Sequence, residues 1–134
     1  MDSASTVAVI SVIALSAVAL VGVIVPQVLA ARKATLDRTI AHMIWWRDKR
    51  SELYIEILGF CAQAEQPGQH SLDESLINSL EPRVAAISSG AVSKEFRRFI
   101  AALRSDNSNE LHDAGSHLRT HIPTELWELS QGRY

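Results

Sequence analysis

The stretch from Ser3 to Ala31 contains no charged side chain, and no other feature of the chain restricts its folding so much. Within it, VAVISVIALSAVALVGVIV runs for nineteen residues from Val7 to Val25. At helical rise it spans roughly 28 Å, close to the hydrocarbon thickness of a bilayer. Twelve of the nineteen are Val, Ile or Leu, which favours insertion by roughly 4 to 6 kcal/mol. The β-branched bias does not argue for a strand. In lipid a lone strand leaves its N–H and C=O groups unpaired, whereas a helix pairs them internally. Pro26 lacks an N–H and crowds the carbonyl four residues earlier, so a kink or an end of the helix is expected there.

A cleavable signal peptide is the competing reading. Val28-Leu29-Ala30 places small or moderately small residues where a peptidase acts, and cleavage after Ala30 would release a secreted or periplasmic helical protein. Signal peptides, however, carry a positive n-region and an apolar core of about 7 to 15 residues. This sequence reads MDSAST and then a longer core. The expectation is therefore a tail and retained transmembrane helix over residues 1–31, with residues 32–134 forming a basic juxtamembrane helix and a helical bundle.

Charge sets the orientation. Asp2 is the one formal charge before Arg32, whereas residues 32–50 hold Arg32, Lys33, Arg38, Arg47, Lys49 and Arg50 against Asp37 and Asp48. From Ser51 onward there are 7 basic and 12 acidic residues. The net charge of −2 gives no reason to expect a nucleic-acid partner. The positive-inside bias places the N-terminus outside and the C-terminal domain in the cytoplasm, with Arg32, Lys33 and Arg38 as the membrane flank beside the lipids. The Trp45-Trp46 pair amid basic residues has two readings. Residues 32–50 lie on the inner leaflet with the tryptophans at headgroup level, or a basic stop-transfer flank is followed by core tryptophans. The second is preferred, since a basic flank follows any such span.

Beyond the flank the pattern is helical throughout. Leu36, Ile40, Met43 and Ile44, then Leu53, Ile57, Phe60 and Ala64, recur at three- and four-residue intervals up to a break at Gln66-Pro67-Gly68-Gln69. Ser71-Leu72-Asp73-Glu74 reads as a capping box. It opens a face of Leu72, Leu76, Ile77, Leu80, Val84 and Ile87, with Pro82 predicting a kink or restart. After Ser88-Ser89-Gly90, residues Val92, Phe96, Phe99, Ile100 and Leu103 form the cleanest amphipathic helix, with Lys94, Arg97, Arg98 and Arg104 on the other side. Past the polar turn at 105–108, Leu111, Ala114, Leu118, Ile122, Leu126 and Leu129 mark a last helix disturbed by Pro123. Short turns between helices predict antiparallel neighbours. The fold class expected is all-α: an N-terminal transmembrane helix and a small antiparallel bundle.

Three features of this sequence accompany that layout: the Trp46-Arg47 step, the Arg50-Ser51-Glu52-Leu53-Tyr54 stretch leading into Ile57-Leu58, and the Gly90-Ala91-Val92-Ser93-Lys94-Glu95-Phe96 helix start. In these the chain resembles a group of small actinobacterial-type single-span membrane proteins. In that group an N-terminal anchor precedes a basic helix and a compact helical domain. The resemblance implies architecture and carries over no activity and no functional residues.

Chemistry-bearing motifs are sparse. There is no G-x-x-x-x-G-K-[ST], G-x-G-x-x-G or H-E-x-x-H, and six scattered glycines build no phosphate cradle. No enzymatic activity, cofactor or metal is expected. Asp113, His117 and His121 share a helical face at four-residue spacing, but structural zinc sites use four ligands and no cysteine is near; a solvated polar face is expected. Cys61, the single cysteine, excludes an internal disulfide and sits among Ile57, Leu58 and Phe60, where an inert buried thiol is expected. Lys94, Arg97, Arg98 and Arg104 are the candidate interaction face, toward a protein partner or a second copy of the chain. In the span only Ala4 and Ala8 make a clean small-x-x-x-small pair, a weak association signal. The function expected is a membrane-anchored interaction or scaffolding module.

Arg32, Lys33 and Arg38 replaced together by Glu will disturb insertion or orientation, read as a change in which terminus an impermeant reagent reaches. Replacing Arg97 and Arg98 by Glu will leave topology unchanged.

Overall fold

The computed structural model describes residues 2–66 and 73–133. Four helices follow one another: α1 (Ser3–Ala64), α2 (Glu74–Ile87), α3 (Gly90–Arg104) and α4 (Ser108–Ser130). No strand occurs among the described residues, as the 3.6-residue periodicity predicts. The chain divides into two compact units, Met1–Met43 and Ile44–Tyr134.

The first unit is the N-terminal part of α1. Its side chains are exposed throughout residues 2–43, and it includes a stretch long and apolar enough to cross a membrane. The expected kink or end at Pro26 is not an end: α1 runs through it. A proline removes one N–H and crowds one carbonyl; here that carbonyl belongs to Gly22, and α1 continues on both sides. Two serines in the apolar stretch turn back onto their own helix. Ser11 and Ser16 donate to the carbonyls of Val7 and Val12 at 2.9 and 2.8 Å. Each hydroxyl is thereby satisfied without a water.

The second unit is a bundle of four helices, built from the last part of α1 with α2, α3 and α4. Its direction can be read from side-chain contacts. Arg83 pairs with Glu56, and Arg50 reaches the Ile87 carbonyl. Arg104 pairs with Glu74 and Glu81. Arg98 pairs with Asp113, Glu95 approaches His117, and Ser89 meets Glu125. Tyr54 meets Glu125, and Glu65, just past α1, pairs with Arg119. Along α1–α2, α3–α4 and α4–α1, one partner's number rises as the other falls, so these neighbours are antiparallel. The single hub at Arg104, together with the two-residue Ser88-Ser89 junction, gives α2–α3 the same sense. The result is an up-down-up-down bundle.

The predicted stripes close the core. Leu53, Tyr54, Ile57, Phe60 and Cys61 of α1 meet Ile77, Leu80 and Val84 of α2, Val92, Phe96, Phe99 and Ile100 of α3, and Ala114, Leu118 and Ile122 of α4. Phe60 lies tilted against Phe96 and edge-on to Phe99, centroids 6.3 and 6.1 Å apart. Pro82 and Pro123 lie inside α2 and α4 without ending them. Both prolines are exposed, and the carbonyls they crowd belong to the exposed Asn78 and Arg119. The described N-cap of α2 is Asp73, whose carboxylate accepts from the Leu76 amide at 3.2 Å; the expected cap residue Ser71, with Leu72, lies outside the described residues. Trp45 is not core: it is 50% exposed and packs edge-on to the half-buried Trp46, centroids 5.2 Å apart.

The turns are tight. Asp106, at φ 53°, ends α3 with the Asn107 amide donating to the Ala102 carbonyl at 3.0 Å, a Schellman closure. Asn107 then caps α4 by accepting from the Glu110 amide at 3.2 Å. One residue thus closes one helix and opens the next. Gly115 of α4 lies against Glu65, just past α1, and Phe99 of α3: a Cβ there would clash with Glu65 Oε1 and lie 3.2 Å from Phe99 Cε2.

Phe99, fully buried, is the test of this core. Phe99→Ala in the full-length chain in detergent will lose about 3 to 5 kcal/mol of stability, read by urea unfolding.

Candidate functional site

Arg32, Lys33 and Arg38 lie exposed on α1 directly after the uncharged stretch. The two hydroxyls among them are turned inward on the helix, Thr35 donating to the Ala31 carbonyl at 3.0 Å and Thr39 to the Thr35 carbonyl at 2.9 Å. Cationic heads on long aliphatic stems are therefore what this band offers to an anionic surface.

The basic residues of α3 are used differently from one another. Lys94 is exposed. Arg97, also exposed, donates to the hydroxyl of buried Ser93 at 3.0 Å. Arg98 is a hub: its guanidinium reaches Glu95 at 2.7 Å and Asp113 at 2.9 Å, and also binds Glu110. Hydrogen bonds to Glu110 and then Asp113 raise the Arg98 pKa above its ordinary value, and the bond from Arg98 holds Asp113 below the usual carboxylate range. Arg104 lies 3.2 Å from Glu74 and 3.7 Å from Glu81. Two of the four candidate residues, Arg98 and Arg104, thus tie α3 to α4 and to α2, while Lys94 and Arg97 enter no ion pair to another helix among the described residues and lie exposed.

Asp113, His117 and His121 are brought together as the spacing predicts. His117 Nε2 is 3.8 Å from Asp113 and its Nδ1 3.3 Å from Glu95, while the His117 and His121 rings are 6.4 Å apart. Among the described residues no group of three His, Cys, Asp or Glu is arranged to hold a metal ion. The face instead extends the Arg98 cluster.

At one end of the bundle lies a second polar network. Tyr54 is fully buried, and its hydroxyl donates to one carboxylate oxygen of Glu125 while accepting from the Ser89 amide at 3.1 Å. The Ser89 hydroxyl donates to the other Glu125 oxygen and accepts, at 3.3 Å, from the Val92 amide. Glu125 is thereby held near the N-terminus of α3, where the helix dipole favours an anion. Beside it, Arg50 donates to the Ile87 carbonyl at 2.8 Å, covering the C-terminus of α2 with a cation. Burial, and then the bond to Glu125, push the Tyr54 phenol above its ordinary value.

The sequence did carry a signal for the acidic members of these networks. Glu95 stands three residues after Val92 and four before Phe99, and Glu125 three after Ile122 and four before Leu129. Each is a charge set into an apolar stripe. Such a charge needs a partner from another helix. The partners from other helices, Tyr54 for Glu125 and His117 for Glu95, are far away in sequence, so spacing alone does not name them, whereas Arg98 stands three residues after Glu95 on the same helix. Cys61 is buried as expected, and desolvation, with a smaller push from Glu65, raises its thiol pKa to about 12.

Tyr54→Phe will cost about 1 to 3 kcal/mol, because the Ser89 amide and Glu125 lose a buried partner. It will also flatten the alkaline limb of the stability profile. A phenol with its folded pKa raised above 10.0 contributes stability that is complete below that pH and is lost as pH rises through the folded value. Urea midpoints from pH 7 to 11 in both proteins check this.

No protein family, curated protein or solved structure matches the chain.

Proposed function

We propose that this chain is a single-pass membrane protein that holds its N-terminus outside and displays the four-helix bundle in the cytoplasm as an interaction or scaffolding module. The observation that carries the proposal is a division of apolar surface. The bundle's buried core begins at Leu53, while Val7, Ile10, Leu15, Val21 and Leu29 are all about half exposed or more. Apolar area of that extent is stable in lipid and not in water. Helical geometry continues through Val28-Leu29-Ala30, and Arg32, Lys33 and Arg38 follow at once, which supports a retained anchor with a cytoplasmic flank. Lys94, Arg97 and the two-thirds-exposed Trp127 support an interaction role for the bundle, since an exposed tryptophan is a favoured contact residue. Catalysis has no such support: Arg98, Asp113, Tyr54 and Glu125 are engaged in ion pairs and hydrogen bonds with other residues of the same fold.

The test is a pair of single-cysteine substitutions with intact mass. Ser3→Cys will react with an impermeant maleimide on intact cells, and Ser130→Cys only after the cells are opened. The membrane fraction will give the mass of the uncleaved chain. Labelling of Ser130→Cys alone would reverse the orientation, and a mass beginning at Ala31 would replace the anchor with a signal peptide.

A further inference from the structure

From Leu29, near the end of the uncharged stretch, α1 keeps an apolar line alongside Arg32, Lys33, Asp37 and Arg38. Leu29, Leu36, Ile40 and Met43 are exposed, Leu36 by 62% and Ile40 by 53%. Their spacings of seven, four and three are those of a coiled-coil seam, with Leu29, Leu36 and Met43 at d and Lys33 and Ile40 at a. The flanking positions then acquire a meaning that the stripe alone lacks. Arg32 falls at g and Asp37 at the e position five residues on, which is the spacing across which parallel helices exchange ion pairs. On one helix these two residues, five apart, do not face each other, and neither enters an ion pair found among the described residues.

We infer that the occupant of this line is a second copy of the same chain, in parallel and in register, with Leu36 and Ile40 packed against their counterparts and Arg32 of each copy paired to Asp37 of the other. Charge complementarity selects that occupant. A two-fold axis turns one Arg–Asp spacing into two ion pairs, and an antiparallel partner would not meet it at the same offset. The inference deepens the membrane-anchored reading and rests on it for one element: two copies inserted the same way are parallel and concentrated in a plane. A seam of two heptads would be marginal in free solution but gains from that confinement. Carried back through Pro26, the same register brings Gly22 and Ala19 to the seam, both small enough for close approach. Lys33 at an a position fixes register at a cost in stability.

Disulfide trapping of the full chain in native membranes tests it, with copper phenanthroline as oxidant. The wild-type chain serves as blank, since its only thiol is the buried Cys61. Leu36→Cys and Ile40→Cys will give a cross-linked dimer in several-fold greater yield than Ala34→Cys and Ala41→Cys, which lie off the seam. Asp37→Lys, which leaves the positive flank intact, will lower the Leu36→Cys yield several-fold. Adding Arg32→Glu, which restores the flank's net charge, will recover it. Equal yields at all four positions, or none at Leu36 and Ile40, would overturn the seam. A yield indifferent to Asp37→Lys would overturn the register. Intact mass of the same samples separates this outcome from that of the anchor: a chain beginning at Ala31 that still cross-links at Leu36 and Ile40 keeps the seam and loses the span, and an uncleaved chain that does not cross-link keeps the span and loses the seam.

Discussion

A tyrosine hydroxyl buried among four helices must be paired, and the second unit is arranged around that requirement. Tyr54 is sealed from solvent, so an unpaired hydroxyl there would cost about as much as a large part of a small domain's stability. Its two partners come from different elements, the carboxylate of Glu125 on α4 and the amide of Ser89 at the α2–α3 junction. Four segments are thus located at one point. The rest of the core, from Phe60 across Phe96 and Phe99, fills space between helices whose depth and rotation this node has already set. Apolar packing is tolerant of sliding, and a hydrogen-bonded node is not.

The fold was legible where physics is local. Stripes at three- and four-residue spacing predicted which side of each helix is buried, and Ile77, Leu80, Val84, Phe96, Phe99, Leu118 and Ile122 are all in the core. Of the two outcomes open at each proline, an end or a kink, the helices exclude the end. Pro26, Pro82 and Pro123 each cost a helix one hydrogen bond, and α1, α2 and α4 continue through them because the neighbouring turns and, in the bundle, the packed faces outweigh that loss. Trp45 is exposed for a positional reason: composition marks tryptophan as a core residue, but position along the stripe decides, and Trp45 falls eight residues before the first buried leucine, Leu53.

Charges divided less cleanly. A basic face on an amphipathic helix looks the same in sequence whether it meets solvent, a partner or the next helix. Arg97 and Arg98 are neighbours, yet Arg97 is exposed beside Ser93 while Arg98 reaches across to Glu110 and Asp113. What distinguishes them is a rotation of about 100° around α3, and which of the two directions holds another helix is a tertiary fact. The flank residues Arg32, Lys33 and Arg38 are simpler to read because their setting is determined by the adjacent uncharged stretch.

The burial of Cys61 gives the molecule a natural clock. A thiol whose pKa is near 12 is almost entirely protonated at neutral pH, and a protonated, enclosed sulfur is a poor nucleophile. It therefore becomes reactive only in the fraction of time when the end of α1 parts from the other helices. With reclosing faster than modification, the observed rate reports the equilibrium between closed and open forms, and with slower reclosing it reports the opening step itself. Because Cys61 lies one turn from Glu65, and so beside the close approach at Gly115, that clock times the separation of α1 from α4 without a probe being added to the chain.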